Sequence, residues 1–152
     1  MKKTFKWIPA LLVAFLSIAM FSCSDDDEDQ PITYDQLPAM SKDFIKTYFS
    51  GEEIVSVTFD KDKNNKEYEV LLRNGFDLSF NTSGEWISVD GPLGATIPDG
   101  IAPQPIVNYV STNYPNEGIN EIEKVKTGYE VELTNGYELN FNQNGDFVSL
   151  DK

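Results

Sequence analysis

The strongest constraint on this chain is that its sequence contains one unit written twice. Residues 68–91 read YEVLLRNGFDLSFNTSGEWISVDG and residues 129–152 read YEVELTNGYELNFNQNGDFVSLDK, an offset of 61 with 12 of 24 positions identical. Upstream, FIKTYFSGEEI at 44–54 matches YVSTNYPNEGI at 109–119 at an offset of 65, so the first copy holds four extra residues in 61–66. Self-similarity at such a period marks a tandem arrangement of one supersecondary unit. A unit of about 60 residues buries only about 60% of its unfolded surface. Two units are therefore expected to share one sheet and one core.

Each copy opens with a helix pattern. Leu37, Met40, Phe44, Ile45, Tyr48 and Phe49 form one apolar stripe, with Pro38 suited to the first turn and Gly51 to the stop. In the second copy Ile106, Val107, Val110 and Tyr114 give the stripe between Pro105 and Pro115. Strands are expected at 54–59, 67–72, 76–80 and 85–89, then at 119–125, 128–133, 137–141 and 146–150. Alternation fixes the first hairpin of each unit. Tyr68, Val70 and Leu72 share one face, as do Phe76, Leu78 and Phe80. Only a three-residue loop, Arg73-Asn74-Gly75, puts both sets on the same side. That predicts a type I turn with a G1 bulge and positive φ at Gly75 and Gly136. The second hairpin leaves two outcomes. A two-residue turn at Ser83-Gly84 points Trp86 to the open face near Leu71, and a three-residue loop buries it under Phe80. The expected fold is α+β: one antiparallel sheet of about eight strands with both helices on one face. Repeat unit 1 spans 34–91, a turn-rich linker 92–100, and repeat unit 2 101–152.

The unit helix–YEV-x-L-x-NG-[FY]-[DE]-L-x-F-N-x-x-G-[DE]-[WF] resembles the PepSY-like, β-lactamase-inhibitor-protein-like repeat of secreted bacterial lipoproteins. The resemblance covers residues 37–152. It implies helices on an antiparallel sheet whose open face is available to partners, since better-known relatives inhibit enzymes by docking them on the sheet. The cysteines that brace those inhibitors are missing here, so no specific contact carries over.

Residues 1–22 read as a signal peptide, with Lys2, Lys3 and Lys6 before an apolar run at 8–21. Met20-Phe21-Ser22-Cys23 resembles a lipobox, which makes Cys23 the lipidated first residue of a chain anchored in the outer membrane, on its periplasmic face or at the cell surface. Residues 23–33, with the run Ser24-Asp25-Asp26-Asp27-Glu28-Asp29, are expected to act as an acidic tether. A single cysteine leaves no disulfide within the chain, so stability must come from packing.

Charge and composition exclude several functions. Three of the 12 basic residues lie in the signal, leaving nine against 25 acids. Such a surface does not suit nucleic acid. With no histidine, Ser/His and Cys/His dyads and imidazole metal sites are excluded. No P-loop, Rossmann or G-x-S-x-G pattern occurs, and carboxylate pairs such as Glu52-Glu53 follow from composition. The expectation is a non-enzyme without a cofactor that binds an envelope protein, as inhibitor or adaptor, through Leu71, Arg73, Trp86 and Phe147. Its rival is a calcium-responsive protein using Asp60, Asp62 and Asn64, which stand at i, i+2 and i+4 as in a calcium loop. The positions where an EF-hand needs Gly and Glu hold Asn65 and Leu71 instead.

Overall fold

The computed structural model describes residues 30–61 and 66–151. The short strand β1 (Gln30–Pro31) is followed by a single 3-10 turn (Tyr34–Gln36) and helix α1 (Ala39–Tyr48). Strands β2 (Ile54–Asp60), β3 (Glu67–Leu72), β4 (Asp77–Asn81) and β5 (Trp86–Asp90) come next. Helix α2 (Gln104–Asn113) leads into β6 (Ile119–Val125), β7 (Gly128–Leu133), β8 (Glu138–Asn142) and β9 (Phe147–Asp151). All pairings are antiparallel, and strand order across the sheet is chain order, β1 to β9. The fold is α+β with one large antiparallel sheet. Among the described residues it has nine strands rather than about eight, because Gln30 and Pro31, expected in the tether, pair with Phe59 and Thr58.

The turns explain why the sequence spells its motifs as it does. The Leu72 amide donates to the Phe76 carbonyl at 2.8 Å and the Gly75 amide to Leu72 at 3.0 Å, closing the three-residue loop. Gly75 and Gly136 have φ of 92° and 79°, values open to glycine at little cost. In the Phe-Asn-x-x-Gly-acid motif, the Asn81 side-chain oxygen accepts from the Ser83 and Glu85 amides, and Asn142 does the same for Asn144 and Asp146. The amide nitrogens of Asn81 and Asn142 then donate to the carboxylates of Glu85 and Asp146. Each asparagine thus builds its own turn from the side chain outward.

Both helices pack on the same face of the sheet. Phe44 of α1 meets Phe80 edge-on at 5.6 Å, and Tyr109 of α2 meets Phe141 edge-on at 5.5 Å. Beneath them Val70, Leu72, Leu78, Phe80, Val89, Ile122, Val131, Leu133, Leu139 and Phe141 are buried in one continuous core. α1 approaches so closely that buried Ser41 donates its hydroxyl to the Gly84 carbonyl at 3.2 Å. Where the chain crosses from β5 to α2, Asn120 does the joining. Only 6% exposed, its side-chain amide reaches the carbonyls of Gly91, Pro92 and Ala95 at 2.9–3.1 Å. The matched residue in the first half, Val55, sits at the same kind of bulge but stands exposed, with no connecting segment to hold.

Candidate binding face

Opposite the helices, the sheet is open, and its register collects acids. Asp77 faces Asp90, Asp90 faces Glu121, Glu121 faces Glu132, Glu132 faces Glu138, and Glu138 faces Asp151. Six strands in succession thus contribute one carboxylate each to a single cross-strand row. At about 4.8 Å per strand the row runs about 24 Å. A second row holds Glu69, Ser79, Ser88, Glu123, Glu130, Asn140 and Ser149. None of these positions is basic.

Like charges directly opposite one another on a sheet are destabilising, and the carboxylates respond. Glu121, in the middle of the row, is pushed up to about 7, first by burial and then by Asp90, Glu132, Glu123 and Glu138. Burial also raises Asp90. Asp77 is raised by burial and by Asp90, against a backbone hydrogen bond from Leu78 that works the other way. A shallow hollow of about 230 Å³ lies over this region, bordered by Glu121, Glu123, Glu130, Glu132, Glu138 and Asp151. Its carboxylates stand side by side, one strand apart. Among the described residues no group of three or more Asp or Glu is placed to hold a metal ion.

The residues expected to form a binding surface separate into two sets. Leu71 is on the open face, opposite Asp77 and Ser56, and is 37% exposed. Arg73 is exposed at the loop beside it, its guanidinium paired bidentately with Glu53, with Nε at 2.6 Å. The open-face placement of Trp86 and Phe147 is corrected. The Asn81 amide donates to the Glu85 carbonyl, so the loop has three residues, and a bulge sets Trp86 opposite Phe80. Trp86 therefore lies on the helix side, 6.4 Å from the Phe44 ring, with the Lys124 ammonium 3.7 Å over its own ring. Phe147 follows suit, stacked on Tyr109 at 4.5 Å. Asp60 ends β2, whereas Asp62, Asn64 and Cys23 lie outside the described residues. Alternation within the first hairpin of each unit puts Glu69, Asp77, Glu130, Glu132 and Glu138 opposite the apolar sets, but does not reach Asp90, Glu121 and Asp151. Extending the alternation into β5, β6 and β9 would have found them, but their alignment in one row is a property of register.

Among the described residues no helix is long and apolar enough to cross a membrane. Comparison with curated proteins found no match. Two solved structures resemble the chain closely. One is a "putative calcium-regulated periplasmic protein" of Bacteroides thetaiotaomicron, 35% identical, covering 82% of this chain and 97% of its own, with a TM-score of 0.77. The other is a "putative periplasmic protein" of the DUF2874 family from Bacteroides vulgatus ATCC 8482, 34% identical, covering 84% of this chain and all of its own, with a TM-score of 0.78. The family model for β-lactamase-inhibitor-like, PepSY-like proteins matches residues 25–79 and 66–149. With its helices on one face and its sheet open on the other, the chain belongs to that PepSY-like family.

Proposed function

We propose that this protein is a non-catalytic binding module of the cell envelope, and that its acidic sheet face takes a basic surface of another envelope protein as inhibitor or adaptor. The observation that carries this reading is the uncovered row of six carboxylates, Asp77 to Asp151. A partner's lysines and arginines would relieve repulsion that the fold alone leaves in place. The family's likeness to inhibitors of β-lactamase and the periplasmic description of both relatives support an envelope setting. On this reading the two halves are copies of one unit, Cys23 carries the lipid, and the residues after it form the tether to the outer membrane. Leu71 and Arg73 would flank the acidic row.

Crosslinking and affinity capture from intact source cells, with the protein as bait, tests the proposal. One envelope protein is expected to be retained, and to be lost with Glu121→Lys and Glu132→Lys. Unchanged capture by a folded double variant would remove the open face from consideration. Lipidation is tested separately, by incorporation of a labelled fatty acid that Cys23→Ala abolishes.

A second reading, calcium responsiveness, is favoured by the name of the Bacteroides thetaiotaomicron relative. The residues for it are those of the Asp60, Asp62 and Asn64 loop. A melting temperature that does not move between millimolar calcium and chelator would sink it.

A further inference from the structure

The outer edge of β9 is an open place in the sheet, and the chain contains its own template for what fits there. At the 61-residue offset, Ser88, Val89 and Asp90 of β5 correspond to Ser149, Leu150 and Asp151 of β9. Both strands leave a three-residue loop, and both carry the same bulge, setting Trp86 opposite Phe80 and Phe147 opposite Phe141. In β5 those three residues accept β6 as an antiparallel neighbour: Ser88 opposite Glu123, Val89 opposite Ile122, Asp90 opposite Glu121. Just beyond, the Gly91 amide donates to the Asn120 carbonyl at 3.1 Å. Antiparallel residues turn their backbone groups alternately to one neighbour and the other. Counting back from Gly91, Val89 faces β6, while Ser88 and Asp90 face β4. By the same alternation Leu150 sends its N–H and C=O outward from β9. There they meet no strand, since among the described residues β9 pairs with β8 alone. The opposite border of the sheet is treated differently. β2 is covered by a two-residue strand ending in Pro31, which has no N–H to offer, a usual means of closing an edge.

We infer that the β9 edge takes an extended strand of a partner protein, antiparallel, with an apolar residue opposite Leu150 and a basic residue opposite Asp151. The template sets the apolar position, because Val89 and Ile122 face each other at the β5–β6 junction and both are fully buried. Charge sets the basic position. Asp151 ends the row of acids, and a lysine or arginine facing it converts a like-charge contact, such as Asp90 makes with Glu121, into an opposite-charge one. Charge also argues against a second copy as occupant, since each chain carries −13 overall and a second β9, paired antiparallel about Leu150, would set Ser149 rather than a base opposite Asp151. Val148, exposed at the bulge, extends the apolar strip toward the loop end of the strand. Main-chain pairing then supplies affinity and the two side-chain positions supply selection, as in other strand-addition complexes. This edge borders the open face but does not depend on it.

The probe is a blocked seven-residue peptide with the β6 sequence carrying Glu121→Lys and Glu123→Lys, titrated into the isotopically labelled protein. Saturation is expected to slow exchange of the Leu150 amide by about tenfold, leaving the β3 and β4 amides as they were. Asp151→Lys is expected to weaken the peptide by about fivefold, and the unaltered β6 peptide, with its glutamates, to recover that loss. Shifts confined to the amides around Glu121 and Glu132, with Leu150 still exchanging freely, would put the peptide on the open face and overturn the inference. Absence of binding at millimolar peptide would overturn it too. Protection of Leu150 that grows with protein concentration alone would mean that a second copy, not a foreign strand, fills the edge. Loss of partner capture in the Glu121→Lys and Glu132→Lys variant leaves the Leu150 exchange test untouched, so the two readings fail separately.

Discussion

Replacing Glu121 with glutamine is expected to make this protein more stable, and only above a definite pH. Glutamine keeps the volume and a hydrogen-bonding amide while removing the central charge of the row. Folding raises Glu121 from an ordinary 4.5 to about 7, with burial the leading cause and Asp90 the first of its charged neighbours. A carboxyl raised by folding holds its proton more tightly in the folded than in the unfolded state. Its penalty is therefore absent below about pH 4.5, builds as pH climbs, and is complete above about pH 7. The full difference corresponds to about 3 kcal/mol at about 1.4 kcal/mol per tenfold change in affinity. The group is only partly buried, and the solvent that still reaches it screens part of this, so about 1–2 kcal/mol is the expected gain for Glu121→Gln. Urea unfolding of both proteins at pH 5, 6, 7 and 8 measures this directly. The midpoints are expected to lie closest at pH 5 and to separate by about 0.5–1 M at pH 8. Raising the salt is expected to narrow the gap. Parallel pH profiles for the two proteins would refute the argument, because the instability would then lie elsewhere than in Glu121.

Asn120→Ala is expected to cost about 2–3 kcal/mol by orphaning three carbonyls at the junction, whereas Val55→Ala at the matched exposed position is expected to cost under about 1 kcal/mol; parallel urea melts compare them. Gly84→Ala forces a side chain onto φ of 89° and brings Cβ to 2.7 Å from the Cβ of Pro38. A loss of at least about 2 kcal/mol is expected, with a change in Trp86 fluorescence as α1 shifts. Arg73→Ala breaks an ion pair whose two side chains are both well exposed, and the melting curve is expected to stay essentially where it is.

Most of the scaffold is legible in the sequence because its determinants are local. The period of the apolar residues gives the helices, and the Asn-Gly loops give the first hairpins, down to positive φ at Gly75 and Gly136. Trp86 shows where local reasoning stops. Its face depends on whether one loop holds two or three residues, and Asn81 decides that by gathering two amides onto its side-chain oxygen. The acidic row is a longer-range fact. Each carboxylate can be read as outward-facing from alternation, but their alignment requires the register of every hairpin and the β5–β6 pairing between halves. The buried role of Asn120 has no local signal. It follows from a connecting segment that only the second half must accommodate.

Because strand order equals chain order, every neighbour a strand needs is supplied by the segment just before or just after it. The widest gap the sheet must close is the stretch from Asp90 to Ile119, and α2 shortens that gap by coiling within it. Contacts between residues close in sequence lower the entropy lost in reaching the transition state. The chain is therefore expected to fold faster than a sheet of the same size whose neighbouring strands lie far apart in sequence. No strand waits for a distant partner, and no disulfide within the chain has to form first. A large sheet is thus reached without the long-range pairings that slow most all-β folds.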